Sequence, residues 1–154
     1  MKKNKITKKV CLVYSTGGHY FELVKSLEGI QIKKKYHVTF FSKKIKKKDK
    51  VYFIKHPQKK AINLFINFLQ SLFILLLERP KMIISTGADV AVMTFILGKI
   101  LFRTKNIFIE SIGNMDKPTL SGRICYKFSD LFIIQFKKLK KIYPNAKLAK
   151  GIIN

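Results

Sequence analysis

The alternation of short apolar runs with longer helix-like stretches constrains the fold of this chain more than any other feature of its sequence. Runs such as KVCLVYST at residues 9–16 and KNIFIES at 105–111 have the length and the β-branched composition of buried strands. Most runs are followed by a stretch long enough to return along a sheet as a helix. This order predicts an α/β fold with one parallel sheet.

The predicted elements follow one another with no repeat of fixed period and no glycine- or serine-rich linker. We predict strands at residues 9–16, 36–43, 51–57, 81–87, 105–111 and 131–136, and helices at 17–30, 61–77, 88–102 and 119–130. The end of the chain predicts a short helix, a proline turn and a weak final strand. A chain of 154 residues can bury a core, and we expect a single domain over residues 1–154.

Two predicted strands end in the same turn, Ser-Thr-Gly followed by a helix. In STGGHYFE, Gly17 and Gly18 let the backbone turn tightly and bring helix N–H groups towards a ligand, where the helix dipole favours an anion. In ISTGADV, Gly87 supplies the turn and Asp89 lies early in the helix. Because the carboxyl ends of parallel strands share one edge, both turns are expected to border one crevice. The alternative for so short a motif is a tight turn at a polar helix start.

Two side chains at this edge could carry chemistry. His19 is expected in the first helical turn, where its imidazole can donate a hydrogen bond or act as a general base on a hydroxyl. Glu110 and Ser111 end another predicted strand, and a carboxylate there can hold a sugar hydroxyl or orient His19. An ordinary strand-end charge would give the same pattern. The loop that follows has polar residues suited to contact a phosphate: Asn114, Lys117, Thr119, Ser121 and Arg123.

Residues 61–77, AINLFINFLQSLFILLL, contain no charged side chain. As a helix this segment is about 25 Å long, at the lower limit of a bilayer span. Four polar residues fall on one stripe of that helix: Asn63, Asn67, Gln70 and Ser71. A narrow polar stripe and a wide apolar face favour either an in-plane membrane helix or a helix packed on the sheet, rather than a span. The candidate membrane residues are Leu64, Phe65, Phe68, Leu69, Leu72, Phe73 and Leu76.

Composition and motif spacing limit which classes of partner and which kinds of site are expected. The net charge of +24 favours a polyanionic neighbour, which can be nucleic acid, an anionic membrane or a phosphorylated substrate, although a lysine-rich solvated surface gives the same charge. The lysine runs lack interleaved aromatics, so nucleic-acid binding rests on charge alone. Neither glycine turn has the spacing of a dinucleotide fingerprint or a P-loop, and the histidines and cysteines have no metal-ligand spacing. We expect no metal, two free thiols in a reducing compartment and no export signal.

Taken together, the motifs STGGHYFEL, ISTGADVAV, IFIESIGNMDKPTLSGRICYKFSDLFIIQF and YPNAKLAKG resemble a known family. The chain resembles PssD-type bacterial polysaccharide-biosynthesis proteins and the asparagine-linked glycosylation 14 family over about residues 10–151. A more distant likeness is to the N-terminal half of the peptidoglycan lipid II synthase.

The resemblance implies a single Rossmann-like domain equivalent to the N-terminal half of a GT-B glycosyltransferase. In such a split enzyme this half faces the lipid-linked acceptor and the cytoplasmic face of the membrane. A partner chain binds the UDP-sugar, so no cofactor is expected here. The expected product belongs to capsular or exopolysaccharide synthesis. The candidate catalytic residues are then His19 and Glu110, and the candidate acceptor- or phosphate-binding residues are Ser15, Thr16, Gly17, Gly18, Ser85, Thr86, Gly87, Asp89, Ser111 and Lys117.

Two departures from the family and two competing functions stay open. The eukaryotic subunit has an N-terminal membrane span, so membrane attachment of this chain is expected from residues 61–77 and the lysine-rich surface. The family loop after Glu-Ser often carries an arginine, and Lys117 is its substitute here. The first competing function is a non-catalytic membrane adaptor that recruits and activates the catalytic partner. The second is a basic nucleic-acid-binding protein.

Overall fold

A computed structural model describes residues 4–41, 49–58, 60–113 and 117–149. It contains one sheet of seven parallel strands in the order β3-β2-β1-β4-β5-β6-β7. The strands are β1 Asn4–Val13, β2 Ile30–Thr39, β3 Val51–Phe53, β4 Met82–Ser85, β5 Lys105–Ile109, β6 Leu131–Ile134 and β7 Lys147–Leu148. The helices are α1 Gly18–Ser26, α2 Ala61–Glu78, α3 Val90–Phe102 and α4 Leu120–Lys127, with a 3₁₀ helix at Lys137–Lys141. The predicted α/β parallel-sheet fold is confirmed.

The two faces of the sheet are covered unequally. The larger core lies between one face and α2, α3 and α4, and it includes Phe95 of α3, Phe108 of β5 and Cys125 of α4. The smaller core lies on the other face, where Leu23 of α1 packs on Leu12 and its neighbours. Within the described ranges, α1 is the one helix on that second face. Because strand side chains alternate between faces, the two cores take alternate residues of the same strands.

Several strand boundaries differ from the prediction, and the strand predicted at residues 51–57 covers only Val51–Phe53. β1 begins at Asn4 rather than at residue 9, and β2 begins at Ile30 rather than at 36, so α1 ends at Ser26. The added residues pair β1 with β2 around a register shift between Ile6 and Lys9. They are rich in lysine and therefore lack the apolar pattern that predicts a strand. The end of the predicted strand 36–43, and Asn114 in the polar loop, lie outside the described residues.

α2 packs on the sheet by its polar stripe together with Ile74 and Leu75, and it turns a wide apolar stripe outwards. Asn63, Asn67 and Ser71 are buried, whereas Phe65 is 58% and Phe73 is 64% exposed. The other five predicted membrane residues divide between the two sides. Leu64, Leu69 and Leu76 are exposed, whereas Phe68 and Leu72 are half-buried against the core. Of the helices in the described part, α2 is the one long and apolar enough to cross a membrane, and a third of it is buried.

Polar contacts fix the buried side of α2. The Thr94 hydroxyl of α3 donates to Ser71 Oγ at 3.3 Å. At the end of the helix, buried Glu78 accepts from Lys9 Nζ at 3.0 Å, from Lys50 Nζ at 2.5 Å and from the Tyr52 hydroxyl. These donors hold the pKa of Glu78 at about 2, below its ordinary value, although burial acts in the opposite direction. The buried side of α2 thus carries polar residues because the residues that it contacts there are polar.

Candidate functional site

The candidate site lies at the carboxyl edge of the sheet, where β1, β4 and β5 are neighbours. Val13, the last residue of β1, pairs with Ser85, the last residue of β4. The turns that follow these two strands are therefore adjacent, as the sequence predicted. The segment after β5 lies next to the turn after β4, so three chain segments meet at this edge, and we call the space between them the crevice.

Two hydrogen bonds join the first turn to the second. The Thr86 hydroxyl donates to the His19 carbonyl at 2.7 Å, and His19 Nδ1 lies 2.9 Å from the Thr86 carbonyl oxygen. Because a carbonyl can only accept, Nδ1 carries the hydrogen in this arrangement. In the neutral imidazole, Nε2 is then the nitrogen with a free lone pair. The ring is thus held in the tautomer that a general base requires.

Three glycines lie in the two turns, and the structure requires only two of them to be glycine. Gly17 precedes α1 with φ of 92°, which favours glycine, and a Cβ added there or at Gly18 would meet open space. Gly18 is therefore needed neither for its φ nor for packing, and its backbone is open to a ligand. Gly87 has φ of 116°, and a Cβ on it would lie 3.2 Å from His19 Cε1. The second turn leaves room for the imidazole because Gly87 has no side chain.

The hydroxyls of Ser85 and Thr86 hold the second turn. Both residues are fully buried, and Ser85 Oγ accepts from the Gly87 backbone N–H at 3.0 Å. The structure therefore places them behind the crevice rather than in contact with an acceptor. Ser15 and Thr16 are half-buried in the first turn, where ligand contact is open to them.

The structure corrects the prediction that Glu110 orients His19. Glu110 is 1% exposed, and its two oxygens accept from the Thr119 hydroxyl at 3.1 Å and from the Tyr143 hydroxyl at 3.2 Å. Its carboxylate thus points to α4, where a Cβ on Gly122 would lie 2.2 Å from Oε2. Burial raises the pKa of Glu110 above its ordinary value, against the effect of both hydroxyls. The physical reason is strand alternation, which turns Glu110 towards the core.

The carboxylate beside His19 is Glu22, one turn along α1. Its Oε1 accepts from the Ser111 hydroxyl at 2.9 Å and from the Ile112 N–H at 3.2 Å. Its Oε2 is buried, has no hydrogen-bond partner among the residues that the structure describes, and lies 3.9 Å from His19 Nδ1. Sequence reasoning missed this residue, although the spacing of three between His19 and Glu22 is the signal for a shared helix face.

Asp89 has a partner that the sequence did not suggest. Asp89 lies just before α3, and its Oδ2 is 3.3 Å from His56 Nδ1 in the segment before α2. The His56 ring also lies 5.0 Å from that of Phe40. This pair extends the crevice towards the start of α2. Lys117 is exposed in the loop after β5, and no contact among the described residues brings it to His19.

Both cysteines are free, as predicted, and the structure shows that both are buried. Burial raises the pKa of the Cys11 thiol to about 12, and it also raises the pKa of Cys125. Neither thiol is a nucleophile at neutral pH.

Comparison with known proteins identifies the relatives of this chain. The family model described as "Oligosaccharide biosynthesis protein Alg14 like" matches residues 54–153. The UDP-N-acetylglucosamine transferase subunit ALG14 of Candida albicans is 35% identical over 82 residues, which cover 50% of this chain and 37% of that protein. Its namesake in Yarrowia lipolytica is 32% identical over 74 residues, covering 45% and 34%. The matched region spans about a third of the length of these relatives.

Solved structures share the fold. The UDP-GlcNAc 2-epimerase of Methanocaldococcus jannaschii aligns with a TM-score of 0.67 at 13% identity, over 88% of this chain and 42% of that one. MurG of Acinetobacter baumannii aligns with a TM-score of 0.64 at 12% identity, over 85% and 42%. The shared fold is that of the N-terminal half of a GT-B protein.

Proposed function

This chain belongs to the Alg14-like family of oligosaccharide biosynthesis proteins, and from that membership we propose that it is the acceptor-side subunit of a split glycosyltransferase. A partner chain with the second GT-B half binds a UDP-sugar. The acceptor is a saccharide on a lipid pyrophosphate at the cytoplasmic face of the membrane, in the synthesis of a bacterial capsule or exopolysaccharide. The names of the relatives favour UDP-N-acetylglucosamine as the donor.

One observation carries the proposal: the double hydrogen bond between His19 and Thr86. It fixes an imidazole with Nε2 available at the rim of a crevice that has an open glycine turn beside it. The backbone N–H groups of Gly18 and His19 begin α1, where they and the helix dipole suit a phosphate of the acceptor. A base and an anion site next to each other are what a phosphorylated acceptor with a nucleophilic hydroxyl requires.

The proposed reaction is an inverting transfer. The acceptor hydroxyl oxygen attacks the anomeric carbon of the UDP-sugar, and its proton moves to His19 Nε2. The bond from the anomeric carbon to the UDP oxygen breaks, and UDP leaves on the partner chain. Glu22 holds the segment at Ser111 and Ile112 against α1, so that the crevice keeps its shape while the acceptor binds.

The test is reconstitution with the partner chain. We would measure transfer from UDP-N-acetylglucosamine to a synthetic lipid-pyrophosphate saccharide with this chain alone, the partner alone and both together. We expect activity from the pair alone. Full activity of the partner alone would exclude a required subunit.

A His19→Ala variant then separates the proposed function from the membrane adaptor. Loss of about 10²–10⁴-fold in turnover, with the pair still assembled, supports a catalytic His19. Unchanged turnover would assign this chain to recruitment, a role that the outward apolar face of α2 favours.

A further inference from the structure

We infer that α2 lies in the plane of an anionic lipid surface, with its outer stripe among the acyl chains and its polar stripe on the sheet. This deepens the proposed function, because it defines how the acceptor-side subunit meets the membrane that holds its substrate. The outer stripe consists of Ile62, Phe65, Leu69, Phe73 and Leu76, which recur every three or four residues. All five are exposed.

The buried polar stripe excludes a simple span. Asn67 is fully buried and its Nδ2 donates to the Lys55 carbonyl at 2.8 Å, while Gln70 accepts from the Lys55 N–H at 2.7 Å. Ser71 accepts from Thr94 of α3. A helix that crossed the bilayer would leave these contacts and expose its polar side to hydrocarbon. An in-plane helix keeps them and hides only the apolar side.

A second helix extends the same surface. α3 contacts α2 on the same face of the sheet, and Ile100 and Leu101 near its end are exposed. Together the two helices contain two charged residues, Glu78 and Lys99. Glu78 is buried and directed at the sheet, so the described outer surface of both helices has no exposed carboxylate.

Basic residues border this surface. Exposed cations lie before α2 at Lys55 and Lys60, between α2 and β4 at Arg79 and Lys81, and after α3 at Arg103 and Lys105. Cations that surround an apolar stripe match a bilayer of anionic lipids, in which headgroup phosphates lie next to acyl chains. A second copy of this chain would bring the same positive charges together. Charge complementarity therefore favours the lipid surface.

The helix also connects this surface to the crevice. Asn67 and Gln70 hold both backbone groups of Lys55, and the next residue, His56, contacts Asp89 at the second turn. The crevice thus lies at the end where α2 begins. An acceptor whose lipid chain stays in the bilayer would emerge beside it.

The chain contains no tryptophan, so single substitutions give unambiguous fluorescent probes. We would place one at Phe65→Trp and one at Phe73→Trp, about 12 Å apart along α2. Each would be mixed with phosphatidylcholine vesicles, with and without phosphatidylglycerol, that carry brominated acyl chains. The matched control is Phe21→Trp on α1, because Phe21 is 54% exposed but lies on the other face of the sheet.

We expect the fluorescence emission of both α2 probes to shift to the blue and to be quenched at the same depth. Binding should require phosphatidylglycerol and should weaken when salt is added. The Phe21→Trp probe should stay unquenched. A separate Phe73→Glu variant should lower vesicle affinity about tenfold or more. Circular dichroism of each variant checks the fold.

Three results would overturn the inference. Unequal depths for the two α2 probes would indicate a span, and quenching of the α1 probe alone would place the membrane on the other face. Dimers that form without lipid, that Phe73→Glu dissociates and that do not bind vesicles would assign the stripe to a second copy. No glycosyl transfer is measured, so a failed transferase assay would leave this inference standing.

Discussion

His19 and Thr86 are joined by two hydrogen bonds, one from the Thr86 hydroxyl to the His19 carbonyl and one from His19 Nδ1 to the Thr86 carbonyl. The residues are 67 positions apart in the sequence. The turns after β1 and β4 are thus held together, and a substitution in either turn should change the position of the imidazole.

Thr86→Val removes the hydroxyl bond while keeping the side-chain shape. We expect the free energy of unfolding to fall by about 1–2 kcal/mol, because the His19 carbonyl loses its donor. Turnover of the reconstituted pair should fall further than stability accounts for. Thr7→Val makes the same chemical change at an exposed position of β1 and should alter neither quantity. Equal effects of both variants on turnover would contradict the linkage.

Gly87→Ala tests whether the second turn makes room for the ring. The added Cβ costs about 1–2 kcal/mol for its positive φ and also approaches His19 Cε1 at 3.2 Å. Gly29→Ala is the matched control, since Gly29 has φ of 79° but open space around its Cβ. Urea unfolding should show a loss for both variants, with the larger loss for Gly87→Ala because of its added contact. Transfer assays should show a loss for Gly87→Ala alone.

Glu110→Gln tests the correction made by the structure. Because Glu110 accepts from Thr119 and Tyr143 inside the protein, we expect the variant, when folded, to keep turnover within about threefold. Its stability should also respond differently to pH. A folded pKa above the unfolded one means that the wild type loses stability as pH rises from about 4.5 towards the folded pKa. Urea unfolding across that range should show this loss in the wild type and not in the variant.

Glu78→Gln should show the opposite pH dependence. The folded pKa of about 2 lies below the ordinary 4.5, so the contribution of Glu78 is present above about pH 4.5 and is lost as pH falls towards 2. We expect the variant to be less stable by on the order of 2 kcal/mol at pH 7, with the difference shrinking in acid.

Glu28→Gln is the comparison for this experiment. Glu28 is 74% exposed and lies 3.6 Å from Lys25 at the surface. It should change stability by less than about 0.5 kcal/mol at any pH. A Glu78→Gln difference that stays constant from neutral to acid pH would contradict the predicted sign.

The parallel sheet and the meeting of the two turns at one edge could be predicted from sequence because both follow from local pattern and one topological rule. The runs before Ser15 and Ser85 are apolar, and parallel strands bring their ends to one edge. The extensions of β1 and β2 could not be predicted, because they are rich in lysine and form strands only through their pairing with each other.

Side-chain partners across the site were harder to foresee. Glu110 was predicted as a site carboxylate because it lies at a strand end. The direction of its side chain depends instead on the alternation of side chains between the two faces of the sheet. Glu22 contacts Ser111, which is 89 positions away, and no local pattern encodes that contact. The segment with His56 is held near Asp89 by Asn67 and Gln70, so its position depends on how α2 packs.

The polar stripe on the buried side of α2 has a consequence for how the chain can change in evolution. In an ordinary amphipathic helix the apolar positions are the constrained ones and the polar positions vary. Here Asn67 and Ser71 have specific buried partners, whereas the exposed residues Phe65 and Phe73 need only remain apolar. A saturation library of α2 should therefore tolerate exchange among large hydrophobic residues at Phe65 and Phe73, whereas Asn67 and Ser71 should be as hard to replace as the buried core residues Ile74 and Leu75.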